Sequence, residues 1–389
     1  MQSLVRTSEF TPDEVLRALR GLEGHRSWSF RYELLSAGNI KIRDLTNVLS
    51  GAVGNDFLAA IKRTAKFVLH DDGSINYLAQ RIKPWARIQL ESGLWMEWPL
   101  GVFLLTSPGR AVDISGVVTR DVDAYDQTMV LIDDVMAARY YVGPNVEYTA
   151  AVSEILANTA GISSYSIVSS NTRTVSALEW EPGTSKYQIV SDLLGAINYR
   201  SLWFDGEGTA RAEPYVSPQL RDAEFTYQTD DLSVILPDAQ VDTDYFQIPN
   251  RWVLIVSSPD QPPLRAELTN NNPFSPTSTV NRGRVITRVI TDAVAPNQAS
   301  LNSIAERYRD EDGQIFETLG FKTGIMPFHE NGDVFDFAYF DLGIAGRFLE
   351  TKWSFELVQG AEMSHEARRT VSVLAGFGSG PFGLMPFGG

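Results

Sequence analysis

Residues 327 to 337 read "PFHENGDVFDF", which places His329, Glu330, Asp333 and Asp336 within one short run. Such a run is either a metal or acid/base site or a polar connection between strands. Asn331-Gly332 is the strongest short hairpin signal, because both central residues of a type I′ turn need positive φ. After it, Val334, Phe335, Phe337 and Tyr339 continue as strand, with Asp333 in the turn and Asp336 on a wet face. A metal needs ligands on a rigid scaffold, and a single His among acids lacks a second His at ligand spacing. The HExxH pattern is also absent. The stretch is therefore expected to be an acidic hairpin joining two strands.

Bulk properties are those of a globular chain. A chain of 389 residues predicts two to four domains. Hydrophobic residues make up 43% and charged residues 21%, enough apolar side chain to bury cores. The 33 basic residues are outnumbered by 48 acidic ones, a net charge of -15, which argues against a surface that grips nucleic acid. With no cysteine, thiolate metal sites, disulfides and cysteine nucleophiles are excluded. No secretory h-region opens "MQSLVRTSEF", and the apolar stretch "WPLGVFLLT" is too short to span a bilayer. The expectation is a chain made in a cytoplasm, soluble or joined to something large.

Local patterns set the organisation. "TPDEVLRALRG" reads as a helix, with Thr11 capping, Pro12 in the first turn, Glu14 completing a capping box and Gly21 as the stop. Strand-like runs from "SWSFRYELL" to "AVDISGVVT" follow, punctuated by turn residues, while "GAVGNDFLAAIKR" fits either helix or loop. Between about 120 and 215 the period changes. "TAAVSEILANTAGI" carries Val152, Ile155 and Leu156 on one helical face. "TSKYQIVSDLLGAINYR" carries Tyr187, Val190, Leu194 and Ile197, capped by Thr184 or Ser185. "SLWFDGEGTARAEPY" then reads as a strand, a tight turn and a strand. Strands return after 220 around one helix, "NQASLNSIAERYRDE", with Leu301, Ile304, Ala305 and Tyr308 on a face. The closing "GFGSGPFGLMPFGG" spaces Phe377, Phe382 and Phe387 among Gly and Pro, as a flexible apolar tail.

The remaining chemical candidates are weak. Gly378, Gly380 and Gly383 match a dinucleotide fingerprint by spacing, but the strand before and helix after that the motif requires are absent. Glu97 in "LWMEWPLG", and Glu179 with Glu181 in "LEWEPG", sit among tryptophans, where a raised carboxylate pKa could serve glycoside cleavage. Strand alternation instead makes Trp95, Trp98 and Trp180 packing aromatics. "RDVDAYD", "DTDY" and "YRDEDG" are fragments of calcium loops that lack the full pattern and read as solvated loops. His25, His70, His329 and His365 are scattered, with no triad ordering. No enzyme, cofactor or metal is predicted.

The order of motifs between about 249 and 360 resembles the hub proteins of phage tails and related contractile injection machines. The resemblance rests on "NPFSPTSTVNRGRVITRVI", the helix at "NQASLNSIAERYRDE", and "PFHENGDVFDFAYFDLGIAGRFLETKWSFELVQG". It carries over to Ser275, Pro276, Ser278, Arg282, Gly283, Pro327, Gly332, Asp333, Gly346, Trp353 and Leu357. "INYLAQRIKPWARIQLESGLWMEWPLGVFLLTSP" is similar to the first domain of minor tail or hub proteins of long-tailed phages. The resemblance implies a mainly β fold with an α+β insertion: two small β-barrel hub domains, an α+β domain and a short helical N-terminus. The expected boundaries are 1–27 for the helical segment, 28–118 for the first barrel, 119–217 for the α+β domain, 218–375 for the second barrel with its helix, and 376–389 for the tail. It further implies a homotrimeric symmetry adaptor at a virion tail tip. Its partners would be the tail tube or distal tail protein, the spike or fibre protein and the tape measure protein, with DNA passing unbound. The chain as given carries no β-helical spike or hydrolase domain, so no receptor-binding or wall-cutting role is expected. A glycan-binding or glycan-cleaving tail component is the alternative, resting on Glu97 and Glu179.

Overall fold

The computed structural model describes all residues except 23, 25, 107–108, 113–115, 244–245, 259–260, 292–297, 314 and 372–389. Two compact units emerge. The first comprises Met1–Ala239, Phe321–Phe337 and Arg347–Ala367, and the second Gln240–Gly320, Ala338–Gly346 and Arg368–Gly389.

The first unit opens with the helix Pro12–Arg20 as its signals require. Thr11 accepts from the Glu14 N–H, the Glu14 side chain accepts from the Thr11 N–H, and Gly21 closes the helix in the left-handed region. Sheet then dominates. Strands run in the order Lys41–Leu45, Trp28–Leu35, Arg81–Gln89, Phe103–Leu105, Val118–Tyr125, Arg63–His70 and Val48–Asp56, and Ile344–Glu356 follows. The ambiguous "GAVGNDFLAAIKR" is thus the end of one strand, a turn and the start of the next. Arg63–His70 alternates strictly: Ala65, Phe67 and Leu69 point inward, while Thr64, Lys66 and His70 point out. Phe67 meets Tyr32 and Phe103 edge to face, each at 6.2 Å between ring centroids. Arg63 keeps the alternation of burial but not of residue type, a charge at an inward position.

The chain is mainly β, as expected, but the strand path is open, and among the described residues no barrel closes. Strand count and turn spacing cannot distinguish the two, because closure depends on the register between the first and last strands.

Residues around 128 to 212 form a separate core in the same unit. The helices Tyr148–Ala157 and Lys186–Ala196 bury Val152, Ile155, Leu156, Val190 and Leu194 against Leu202, Phe204 and Ala210. Ser185 accepts from the Gln188 N–H as the cap. The buried stripe also includes Ile189 and Leu193, whereas Tyr187 only partly enters it. The strands Trp203–Phe204 and Ala210–Ala212 pair antiparallel around a turn in which Asp205 accepts from the Glu207 and Thr209 N–H groups.

In the second unit, Arg251–Ser258 pairs antiparallel with Gln261–Thr269 and parallel with Thr287–Ile290. The helix Gln298–Asp312 buries Leu301 and Ala305 on Trp252 and Leu254, with Ile304 and Tyr308 alongside. The "SPTSTVNRG" segment becomes a single helical turn, Thr279–Arg282, capped by Ser278 and ended by Gly283 at φ +62°. Fully buried Asn250 ties this turn down: Oδ1 accepts from the Ile286 N–H at 2.8 Å, and Nδ2 donates to the Arg284 and Thr277 carbonyls at 3.0 and 3.2 Å. Asn250→Ala leaves several buried backbone groups without partners. At about 1–3 kcal/mol for each, it is expected to lower the urea midpoint of this unit with little change in m.

Candidate functional site

The stretch 327–333 is buried, not an acidic hairpin. Val334–Tyr339 pairs with Phe225–Gln228 and Ile344–Glu356 rather than with the preceding strand. Gly332 has φ +67° while Asn331 is not in the positive region, so the turn is not type I′. His329, Asn331 and Asp333 are 0%, 3% and 2% exposed. Only Asp336 meets the expectation of a wet face, half-exposed and paired with Arg347 at 3.0 Å.

Partners from distant segments make this burial tolerable. Glu330 forms an ion pair with fully buried Arg63 and accepts from the Gly206 N–H at 2.9 Å. Burial raises its pKa, with Arg63 opposing. Arg63 also donates to the Leu100 carbonyl at 2.9 Å and the Phe204 carbonyl at 3.2 Å, and its guanidinium lies 5.3 Å from the Trp353 ring. Trp353 Nε1 donates to the Glu330 carbonyl at 3.1 Å. The Asn331 and Gly332 carbonyls accept from Arg200 and Arg221. A Cβ on Gly332 would stand 2.5 Å from the Phe57 ring, so both space and φ require glycine. Asp333 Oδ2 accepts from the Glu330 N–H and Oδ1 from the Met1 ammonium, each at 2.7 Å. Burial penalises that carboxylate, but the ammonium and then His329 outweigh it and hold its pKa below the ordinary value.

Behind this turn lies a buried relay. Glu350 Oε2 meets His329 Nδ1 at 2.5 Å and Oε1 meets His365 Nδ1 at 2.7 Å. The outer nitrogens meet the Tyr227 hydroxyl at 2.6 Å and the Thr323 hydroxyl at 2.9 Å. The scattered histidines therefore include two that converge, because neighbouring strands bring 350 and 365 beside the turn. That convergence has no signature in linear spacing. His70 stays exposed on a strand end, and His25 lies outside the described residues.

His329, Glu350 and His365 have the residue types of a metal set. One tetrahedral ion at ordinary bond lengths separates neighbouring ligand atoms by about 3.4 Å. The observed 2.5 and 2.7 Å are instead hydrogen-bond distances, and each imidazole occupies its own carboxylate oxygen. The arrangement fits shared protons, not a shared ion.

The other candidates dissolve into pairings. Glu97 is taken by Arg31 and Arg87, and Glu179 and Glu181 by Arg139. Trp98 is fully buried, and Trp180 donates to Asp192. "RDVDAYD" is strand rather than solvated loop, and its Asp126 is buried and accepts from the Arg63 and Thr128 N–H groups. A cleft of about 470 Å³ beside Glu330 and Asp333 holds Arg6 with Glu207, Arg211 with Asp205 and Arg221 with Glu224 already paired. Of the resemblance residues, Pro327, Gly332, Asp333 and Trp353 gather around the buried turn of the first unit. Ser275, Pro276, Arg282 and Gly283 lie around the Asn250 turn of the second. Phe377, Phe382 and Phe387, like the glycine triplet at 378, 380 and 383, lie outside the described residues.

No family model and no curated protein matches the chain. Among solved structures it is similar to a tail protein from Neisseria meningitidis MC58, 14% identical with a TM-score of 0.62 over 88% of this chain and 97% of that one. The 43 kDa tail protein of prophage MuSo2 from Shewanella oneidensis is 10% identical, with a TM-score of 0.57 over 87% and 98%. A chain of the half-lidded Francisella PdpA–VgrG complex is 10% identical, with a TM-score of 0.52 over 89% and 58%. The chain shares the fold of these tail proteins.

The Arg63–Glu330 pair generates a direct test. Arg63→Ala strands a buried carboxylate and two carbonyls, and is expected to cost about 3–5 kcal/mol, read as a fall in the denaturant midpoint.

Proposed function

We propose that this chain is a structural hub of a phage tail tip or baseplate. It acts as a homotrimeric symmetry adaptor that joins the hexameric tail tube to a spike or fibre and surrounds the channel for tape measure protein and DNA. The observation that carries this reading is the agreement with the Neisseria tail protein over nearly the whole of both chains. The occurrence of the fold in the PdpA–VgrG complex supports a place beside spike components. A net charge of -15 suits a lumen that repels phosphate.

In this reading the mechanism is mechanical, and the motif residues are architectural. Pro327, Gly332, Asp333 and Trp353 anchor the turn that holds the first unit together. Ser275, Pro276, Arg282 and Gly283 shape the turn over the second. The segments 28–118, 119–217 and 218–375 are the first hub domain, the α+β insertion and the second hub domain. Residues 376–389 are a docking peptide whose Phe377, Phe382 and Phe387 enter the next protein of the tail.

Mass photometry of the purified chain is expected to show a species near 130 kDa, three times 43.2 kDa. A lone 43.2 kDa subunit at micromolar concentration contradicts the trimer. Truncation at residue 375 is expected to leave the trimer intact and abolish particle infectivity. Infective particles carrying the truncation dispose of the docking role alone.

A further inference from the structure

We propose that the chain Tyr227–His329–Glu350–His365–Thr323 is an acid-sensitive latch, holding one shared proton between Glu350 and His365 and breaking when His329 is protonated. This goes beyond the tail-hub reading and does not depend on it, since every member lies in the first unit.

Donor directions follow from the ends inward. Thr323 Oγ1 donates to the Gly324 carbonyl at 2.6 Å, so its single hydrogen is used and His365 Nε2 must donate to it. Tyr227 sits among the rings of Phe225, Phe321 and Phe335, which offer no acceptor, so its hydroxyl donates to His329 Nε2. His329 Nδ1–H then donates to Glu350 Oε2. One proton remains between Glu350 Oε1 and His365 Nδ1, and whichever atom holds it, the chain is neutral overall. Every hydrogen bond is filled, in a fully buried setting.

Protonating His329 puts a hydrogen on Nε2 opposite the Tyr227 hydroxyl. That hydroxyl must turn away, and its own hydrogen then faces aromatic rings without a partner, a costly buried orphan. The groups facing His329 are Tyr227 from Phe225–Gln228, Glu350 from Ile344–Glu356, His365 from Glu362–Val371, and Asp333 from its own turn at 3.7 Å. Glu224 and the Met1 ammonium stand behind Asp333. Asp333 and Glu224 favour the imidazolium and the ammonium opposes it, but burial dominates and pulls the His329 pKa down to about 4. Burial likewise lowers His365 against the pull of Glu350, and pushes Glu350 up to about 7.

The sign follows from proton counts. Between about pH 4.5 and 6.5 the unfolded chain carries a proton on each imidazole ring beyond its neutral form and none on the glutamate. The folded relay carries only the one extra proton at Glu350 and His365. The unfolded state binds one more, so stability falls as pH drops through that window. Above about 6.5 the unfolded imidazoles are neutral and the folded relay binds the extra proton, so stability falls as pH rises, until Glu350 releases it near 7. The relay is most stabilising near pH 6.5. Because it ties five segments of one unit together, its failure in acid loosens that unit as a whole.

Urea unfolding from pH 4.5 to 8.5, for the full chain and for Glu350→Gln, tests this. The carboxamide introduced by Glu350→Gln imitates the neutral acid, accepting from His329 and donating to His365, and does not titrate. Below pH 6.5 the relay's contribution to the wild-type folding constant falls about tenfold per pH unit; in Glu350→Gln it falls about a hundredfold, and the loss above 6.5 disappears. Carboxylates elsewhere affect both proteins equally, so the difference in slope is the readout. Equal slopes overturn the proposal. A second reading does not need the variant: the Cε1–H resonances of His329 and His365 in the wild type are expected to hold fixed positions from pH 6.5 to 5, that of His329 at its neutral value. Titration of both near 6.5, or a stoichiometric metal ion in elemental analysis of the purified protein, also overturns it.

Discussion

Burial of the polar turn at 327–333 is the constraint on which the first unit depends. Taking a carboxylate out of water costs several kcal/mol unless its lone pairs are filled, and three are withdrawn here: Glu330, Asp333 and Glu350. Each is filled at least in part by a group from elsewhere in the chain. Arg63 reaches Glu330 from an inward strand position, Glu330's own N–H and the Met1 ammonium hold Asp333, and two imidazoles hold Glu350. Arg63, Met1 and His365 are separated from the turn by many residues, so these buried carboxylates are satisfied only when those segments are in place. The interaction enforces one registry more than it adds stability, since a well-packed apolar replacement could be equally stable.

That economy fits the structural role proposed for the chain. The carboxylates that looked chemically promising are either paired with arginines or locked behind aromatic rings, and the charges around the polar cleft are satisfied within the chain.

Local chemistry was legible in the sequence and long-range pairing was not. Thr11, Glu14 and Gly21 announce their helix because capping is decided within four residues. The faces of 148–157 and 298–312 follow from helical period. The motif order around Ser275, Gly332 and Trp353 was enough to indicate the tail-protein fold. Asn331-Gly332 misled because turn propensity knows nothing of burial, and a type I′ signal was overridden by a packed turn in which only Gly332 takes positive φ. Likewise, His329 and His365 are remote in sequence and meet only through the strands that bear Glu350 and His365. An inward-facing arginine at 63 was the one local clue, a charge on the apolar face of an otherwise alternating strand.

The central claim, that "HENGD" is a packed tie and not a solvent-facing loop, is tested most directly by amide hydrogen exchange in the native state. The Glu330 N–H is held by Asp333 Oδ2 and the Glu350 N–H by the Asp333 carbonyl at 2.8 Å. Both amides are expected to exchange only through global unfolding, as slowly as those of Phe67 and Leu69 in the central strand. Exchange of Glu330 at the rate of an open turn such as Asp72–Gly73 would contradict the account.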